Sequence, residues 1–322
     1  MITIPRLKKQ IKTNFFDAVE ENLENELLNE IKKTKTDTLN KKLLVFIHKH
    51  IKIIVRGKPS SHKIIIDRFK NKHTHFYNRW QTSTGRKKCK TYKVLNDIFL
   101  KRYKLITNSK WEISYNFIEN MGLKSCPYCN RNYISIVYPK DNRGRLRCEI
   151  DHFYPKAKYP FLAISIYNLI PSCQVCNHTK NEDDSFLKKD LINPYLIKEK
   201  DFSLSYDIES IDFINYIYNP NMRHLAKKKN NLIKVKFVNF KEGNISTFKL
   251  DTLYTNHNDI VLELITKKLH YPNTYISELK SLGFDDEDIY KFLYANYPKS
   301  KDFHNRPLSK LTNDIIDELN GL

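Results

Sequence analysis

The chain has 322 residues, 40% of them hydrophobic, and a formal net charge of +20. That is apolar material for one large domain or two modest ones, and it excludes a disordered chain. No apolar run approaches the ~20 residues of a membrane helix, and the opening "MITIPRLKKQIK" lacks an apolar signal core, so the expectation is a cytoplasmic protein with no membrane partner.

Phe16, Val19, Leu23, Leu27 and Ile31 recur at helical spacing, which predicts an amphipathic helix over 15–33. Its other face is acidic, with Asp17, Glu20, Glu21, Glu24, Glu26 and Glu30. Such a face does not serve an anionic substrate; it suits a protein contact or plain solvation. Leu39, Leu43, Ile47, Ile51 and Ile54 predict a second helix, closed by Gly57. From Lys42 to Lys110 there are 19 Lys/Arg against two acids, Asp67 and Asp97. A surplus of this kind points to an anionic partner, above all nucleic acid. The run "KIIID" fits strand or helix equally. Residues 71–90 are basic and aromatic, with Phe76, Tyr77 and Trp80, and "TSTGRKK" reads as a loop presenting Arg86, Lys87 and Lys88 to a nucleic acid. Helices follow over 91–105 and 111–121, ending at Gly122. Residues 1–122 thus form a mainly helical, basic region for nucleic-acid or partner binding.

The pattern then changes. Strands are predicted at 132–138, 146–151 and 168–173, a turn at 140–145, and a helix start at 174–182, with Asn193-Pro194 closing the region. Beyond residue 200 come strand candidates at 202–206, 233–240 and 245–250. Helical stripes follow through Leu253, Ile260, Leu264 and Leu269, then Ile289, Phe292 and Leu293, then 308–319. The basic run at 223–231 suits either a nucleic-acid backbone or an exposed helix end. The fold class is α+β: a central core at 123–198 between the helical N-terminal region and a mixed C-terminal region at 199–322.

Four of the six cysteines form two Cys-x-x-Cys pairs, Cys126/Cys129 and Cys173/Cys176. With no secretion signal, disulfides are not expected. Two such pairs flanking one module make a tetrahedral thiolate site that suits structural Zn²⁺. The 43 residues between Cys129 and Cys173 leave room for a folded insert. Cys89 and Cys148 read as buried free thiols outside that site.

Within the insert the strand "CEIDHFYPK" ends in Asp151-His152. Asn168 opens the next strand, and Asn177 follows Cys176 in the first turn of a helix. Clamping the knuckles would bring Asp151, His152 and Asn177 together. A hard cation such as Mg²⁺ or Mn²⁺ takes oxygen ligands and keeps several waters, so one carboxylate and one amide oxygen suffice. A neutral imidazole accepts a proton from an attacking water at pH 7. Together these suit hydrolysis of a phosphodiester, leaving 5′-phosphate and 3′-hydroxyl ends.

The string "CPYCNRNY…EIDHFYPK…YNLIPSCQVCNHTK" resembles the zinc-knuckled HNH nucleases, whose catalytic unit is the ββα-metal, or His-Me, finger. The resemblance covers about residues 126–181. It implies His152 as general base, Asp151 and Asn177 as ligands of the catalytic metal, Asn168 as the residue fixing the loop that orients the base, and Lys180 near phosphate. The stretch "YPKAKYPFLAIS" replaces the family's Gly-rich loop. More loosely, the helical basic start, "DHFYPK", "NLIPSC" and the tail "HNRPLSKLTNDI" are similar to the HNH subunits of bacterial anti-phage systems such as Septu and retron-associated pairs. That likeness implies an ATPase partner and a nucleic-acid substrate, DNA before RNA. Two other readings stand beside it: an RNA endonuclease of the same fold, for example on tRNA, and a zinc-dependent nucleic-acid-binding module without chemistry.

Overall fold

The structure, a computed structural model, describes residues 1–107, 113–137, 146–180, 185–188, 190–219, 221 and 232–321. The expected turn at 140–145 and the basic run at 223–231 lie outside them, as do residues 111–112, 138 and 181–182 at the ends of predicted elements. The chain divides into two compact units, one of residues 4–123 and 134–189, the other of 1–3, 124–133 and 190–322.

The first unit opens with helices α1 (Lys9–Glu20) and α2 (Leu23–Lys33) where the sequence predicts one. Asn22 sits between them at φ 57°, a left-handed conformation that asparagine tolerates well. The break lets Phe15 and Val19 bury on one helix, and Leu23 and Leu27 on the other. The acidic face is not simply solvated. The Arg56 guanidinium pairs with Glu20. Arg102 Nη1 donates to Glu26 Oε2 at 2.9 Å, with its Nη2 on the Glu21 carbonyl at 3.1 Å. These arginines come from the basic stretch, so part of its charge is spent inside the unit.

The second predicted helix also divides, into α3 (Leu39–Lys49) and α4 (Ile51–Arg56), at His50. The ambiguous "KIIID" lies inside α5 (Pro59–Lys72), which starts on a proline, the residue whose fixed φ suits a first helical position. Helix α6 (Thr74–Trp80) carries the aromatics of the basic stretch. Phe76, Tyr77 and Trp80 are all buried, so they are core and not a stacking platform for bases. Phe69 packs at 5.0 Å from Trp80 and 5.4 Å from Phe161, ring centre to ring centre. The expected loop at 82–88 contains a short helix, α7 (Ser83–Lys87), because the Thr82 hydroxyl accepts from the Gly85 amide and caps it. Helices α8 (Lys90–Thr107) and α9 (Ile113–Met121) follow.

Strand β1 is only Ile136–Val137 and pairs with β2 (Leu146–Arg147). The predicted strand at 146–151 therefore splits, its second half being β3 (Glu149–His152). β3 pairs antiparallel with β4 (Leu169–Ser172), placing Asp151 opposite Ile170 and His152 opposite Leu169. Helix α10 (Gln174–Lys180) comes next.

The second unit holds the antiparallel ribbon of β5 (Ser203–Ile208) and β6 (Ile233–Asn239), with helix Asp212–Tyr218 between them in sequence. The C-terminal helix Ser309–Asn320 braces the ribbon. Its Asp314 carboxylate accepts from the Leu204 amide at 2.9 Å and its Glu318 from the Ser205 hydroxyl at 2.9 Å. The predicted strand at 245–250 is a helix, Glu242–Phe248, ended by Lys249 at φ 52°. Ile245 and Phe248, three apart, share its buried face, and the Asn244 side chain bonds both backbone groups of Ile192. Helical packing won over a weak alternating pattern.

Candidate active site and cysteine cluster

Strand β3 delivers Asp151 and His152 at its C-terminal end, and both are buried. They line a cavity of about 500 Å³ together with Ile150, Pro155, Lys156, Ala157, Asn177 and His178. The sequence separates these residues by up to 28 positions. The β3–β4 pairing followed directly by α10 brings them to one wall.

His152 is held by one ring nitrogen. Its Nε2 lies 3.0 Å from the Ala163 carbonyl. A carbonyl only accepts, so Nε2 carries the hydrogen and the neutral ring keeps its lone pair on Nδ1. Burial pushes the His152 pKa down to about 3, and the nearby Lys156 and Lys180 charges act the same way. The imidazole is therefore an uncharged acceptor at pH 7. Tyr103 of α8 meets its ring edge-to-face at 4.6 Å.

Asn168 staples the loop that follows His152. Its Oδ1 accepts from the Tyr154 amide at 2.7 Å, while its Nδ2 donates to the Tyr154 and Leu162 carbonyls at 3.0 Å each. The Asn168 carbonyl also accepts from the Phe153 amide at 2.9 Å. Asn168 touches neither ring nitrogen of His152; it fixes the backbone that ends in the Ala163 carbonyl. In place of glycines, the loop uses this staple, the turn bonds from Lys158 and Tyr159 to the Pro155 carbonyl, and the Tyr92 hydroxyl on the Ala157 carbonyl.

Asn177 donates through Nδ2 to Glu149 Oε2 at 2.5 Å, and His178 Nε2 lies 3.4 Å from Glu149 Oε1. That bond holds the Asn177 side chain in place. Asp151 and Asn177 carry oxygen donors of the chemical kind that Mg²⁺ or Mn²⁺ takes, and both line the cavity.

Lys180 stands differently from the phosphate contact expected of it. It has no exposed surface. Its Nζ donates to Asp151 Oδ1 at 3.1 Å and to the His152 carbonyl at 2.7 Å. It pins the end of β3 and gives Asp151 a buried counter-charge. Arg86, Lys87 and Lys88 are not among the residues lining the cavity. Lys87 and Lys88 are exposed, and Arg86 Nη1 donates to the Trp80 carbonyl at 2.9 Å.

The Sγ atoms of Cys126, Cys129, Cys173 and Cys176 lie within 4.8 Å of one another, and all four residues are buried. A tetrahedral ZnS₄ centre with Zn–S near 2.3 Å needs sulfurs about 3.8 Å apart, so this donor set fits a structural zinc ion. None of the six cysteines is in a disulfide. Cys89 and Cys148 stand outside the group; Cys89 is buried as expected, whereas Cys148, just before β3, is only partly buried. The first knuckle turns through Asn130 at φ 51°. The Asn130 side chain bonds Ser125 Oγ and the Phe303 and Arg306 carbonyls through Nδ2, and accepts from the Lys310 amide. The Tyr254 hydroxyl donates to the Cys129 carbonyl at 2.6 Å.

Three contributors escape a sequence reading: the Ala163 carbonyl, Tyr103 and Lys156. Only Lys156 leaves a trace there, as the lysine closing "DHFYPK".

No family model matches the chain, and no solved structure matches it. One curated relative does. It is a Septu protein, PtuB, of Bacillus thuringiensis, 35% identical over 89 residues. The match covers 27% of this chain and 31% of that protein, so less than a third of the relative's length is spanned. Among the described residues no helix is long and apolar enough to cross a membrane.

Proposed function

We propose that this protein is a metal-dependent HNH endonuclease that hydrolyses phosphodiester bonds of DNA. We place it as the nuclease of a Septu-type anti-phage defence system, acting with an ATPase partner. One observation carries the chemistry: a neutral histidine locked on a carbonyl through Nε2 shares a cavity wall with Asp151 and Asn177. The succession of β3, β4 and α10 is the order of a ββα-metal finger, and the likeness to PtuB supports the biological setting.

In this reading the Nδ1 atom of His152 takes a proton from a water as that water's oxygen attacks phosphorus. The Ala163 carbonyl stabilises the imidazolium so formed through Nε2–H. Asp151 and Asn177 would hold a divalent cation, which would supply Lewis-acid stabilisation of the negative charge that develops during hydrolysis. Lys180 keeps the Asp151 carboxylate oriented, and Asn168 keeps the Ala163 carbonyl in place.

The test uses wild type and His152→Ala, each alone and with the ATPase partner, on plasmid, single-stranded DNA and total RNA, in Mg²⁺ or EDTA. Cutting of DNA that needs both metal and His152 is the expected result. Metal-dependent cutting that survives His152→Ala removes the base assignment. Cutting confined to RNA replaces the substrate. Binding without cutting under every condition leaves the non-catalytic zinc module.

A further inference from the structure

The cavity contains a cation that makes no ion pair among the described residues, the Asp151 carboxylate acting on it only through charge at longer range. Lys156 follows Pro155 in the loop after β3, is half-buried, and lines the same wall as Asp151, His152 and Asn177. Among the described residues its ammonium makes no ion pair or hydrogen bond. It rests on the Tyr103 ring, 4.7 Å from the centroid. The same ring meets His152 at 4.6 Å, so one aromatic side chain supports both the imidazole and the ammonium.

The lysine expected at phosphate is committed elsewhere. Lys180 has its ammonium on Asp151 and on the His152 carbonyl, and no surface for a ligand. Asp151 makes its ion pair with Lys180 at 3.1 Å and acts on Lys156 only at longer range, so the Lys156 ammonium keeps room for another anion. A cation over an aromatic face gains about 0.5–2 kcal/mol there, which holds it in place without quenching its charge. The neighbouring backbone is tied down on both sides, by Asn168 on Tyr154 and by the Tyr92 hydroxyl on the Ala157 carbonyl at 2.9 Å.

We propose that Lys156 is the catalytic residue that grips the phosphate undergoing cleavage, its ammonium donating to a non-bridging oxygen from the Tyr103 side of the cavity. The proposal rests on the nuclease reading given above. Charge on that oxygen grows as the water adds, so the contact strengthens in the transition state and should act on kcat more than on KM. A nucleic-acid phosphate is the only ligand this role requires; base identity and sugar are not read.

The experiment uses the whole 322-residue chain carrying Lys156→Met, which keeps the aliphatic stem over Tyr103, with Lys156→Arg beside it. In cleavage assays Lys156→Met should lower kcat by about 100-fold with KM changed less than fivefold, the scale of losing one preorganised donor. Lys156→Arg should recover at least about tenfold of that, which a merely structural role would not give. A second arm needs no turnover. In a His152→Ala background, a fluorescein-labelled duplex is titrated in EDTA across a salt series. Lys156→Met should weaken binding and reduce the salt slope by about one counterion. Wild-type-like kcat in Lys156→Met overturns the proposal, and so does an unchanged affinity and slope. If wild type cuts nothing but the binding arm responds, the nuclease reading fails while the phosphate contact stands.

Discussion

Replacing Lys180 by methionine should unsettle the unit that carries the site far more than a lysine substitution ordinarily does. Its side chain has 0% exposure and that of Asp151 5%, and they meet at 3.1 Å. Methionine fills similar space but removes the charge. Asp151 is then a buried carboxylate without its counter-ion, and the His152 carbonyl loses the donor at 2.7 Å. Breaking one side of a buried pair costs about 3–5 kcal/mol. That is a large part of the ~5–15 kcal/mol that holds a typical domain folded. The converse cycle is informative. In the Asp151→Asn background the buried Lys180 ammonium is itself the uncompensated charge, so Lys180→Met should cost less than about 1 kcal/mol, the hydrogen bond lost to the His152 carbonyl being offset by removal of that charge. The assay is urea unfolding of the two single variants and the double variant, in EDTA, followed by far-UV circular dichroism. The coupling should then be about 2 kcal/mol or more. A Lys180→Met cost below about 1 kcal/mol, the value of an exposed pair, would refute the reasoning, because it would mean that water reaches the pair.

Further outcomes follow from the same geometry. Purified protein should contain one zinc per chain by plasma emission spectroscopy, and Cys176→Ser should lose it together with much of the folded population; a folded, zinc-free wild type would contradict this. Asn168→Ala removes the acceptor of the Tyr154 amide and one donor from each of the Tyr154 and Leu162 carbonyls and should cost about 2 kcal/mol by denaturant titration, with activity falling in step as the Ala163 carbonyl drifts; a cost under about 1 kcal/mol would argue against the staple. His62 is buried and its pKa is pushed down to about 4 by that burial. The unfolded chain therefore binds a proton that the folded one refuses, and stability falls as pH drops from about 6.5 to about 4. Comparing wild type with His62→Leu, that fall should shrink by about 3 kcal/mol; identical pH profiles would show that the imidazole is hydrated.

Much of the site could be read without coordinates because it is written in local chemistry. Cys-x-x-Cys spacing constrains thiols to one short turn, so two such pairs announce a four-sulfur group whatever lies between them. Asp151 beside His152 and Asn177 directly after Cys176 are likewise fixed by covalent neighbours. Periodicity gave most helices, yet it missed the breaks at Asn22 and His50, since a left-handed or irregular residue leaves the apolar spacing nearly intact. It also took 245–250 for a strand, because Phe248 and Leu250 alternate with polar residues, while the helical pairing of Ile245 with Phe248 shows only once the surface that buries them is known.

Burial is what the sequence could not assign. Lys156 and Lys180 are both lysines within 30 residues of Asp151 and carry the same formal charge. Phe76, Tyr77 and Trp80 in a basic stretch look alike whether they stack on bases or fill a core. Composition supplies the charges and the rings, and only long-range packing decides which of them meet water. That packing sends Trp80 and Lys180 inward and leaves Lys156 over Tyr103 at the cavity wall, because each side chain's environment depends on helices and strands distant in the chain.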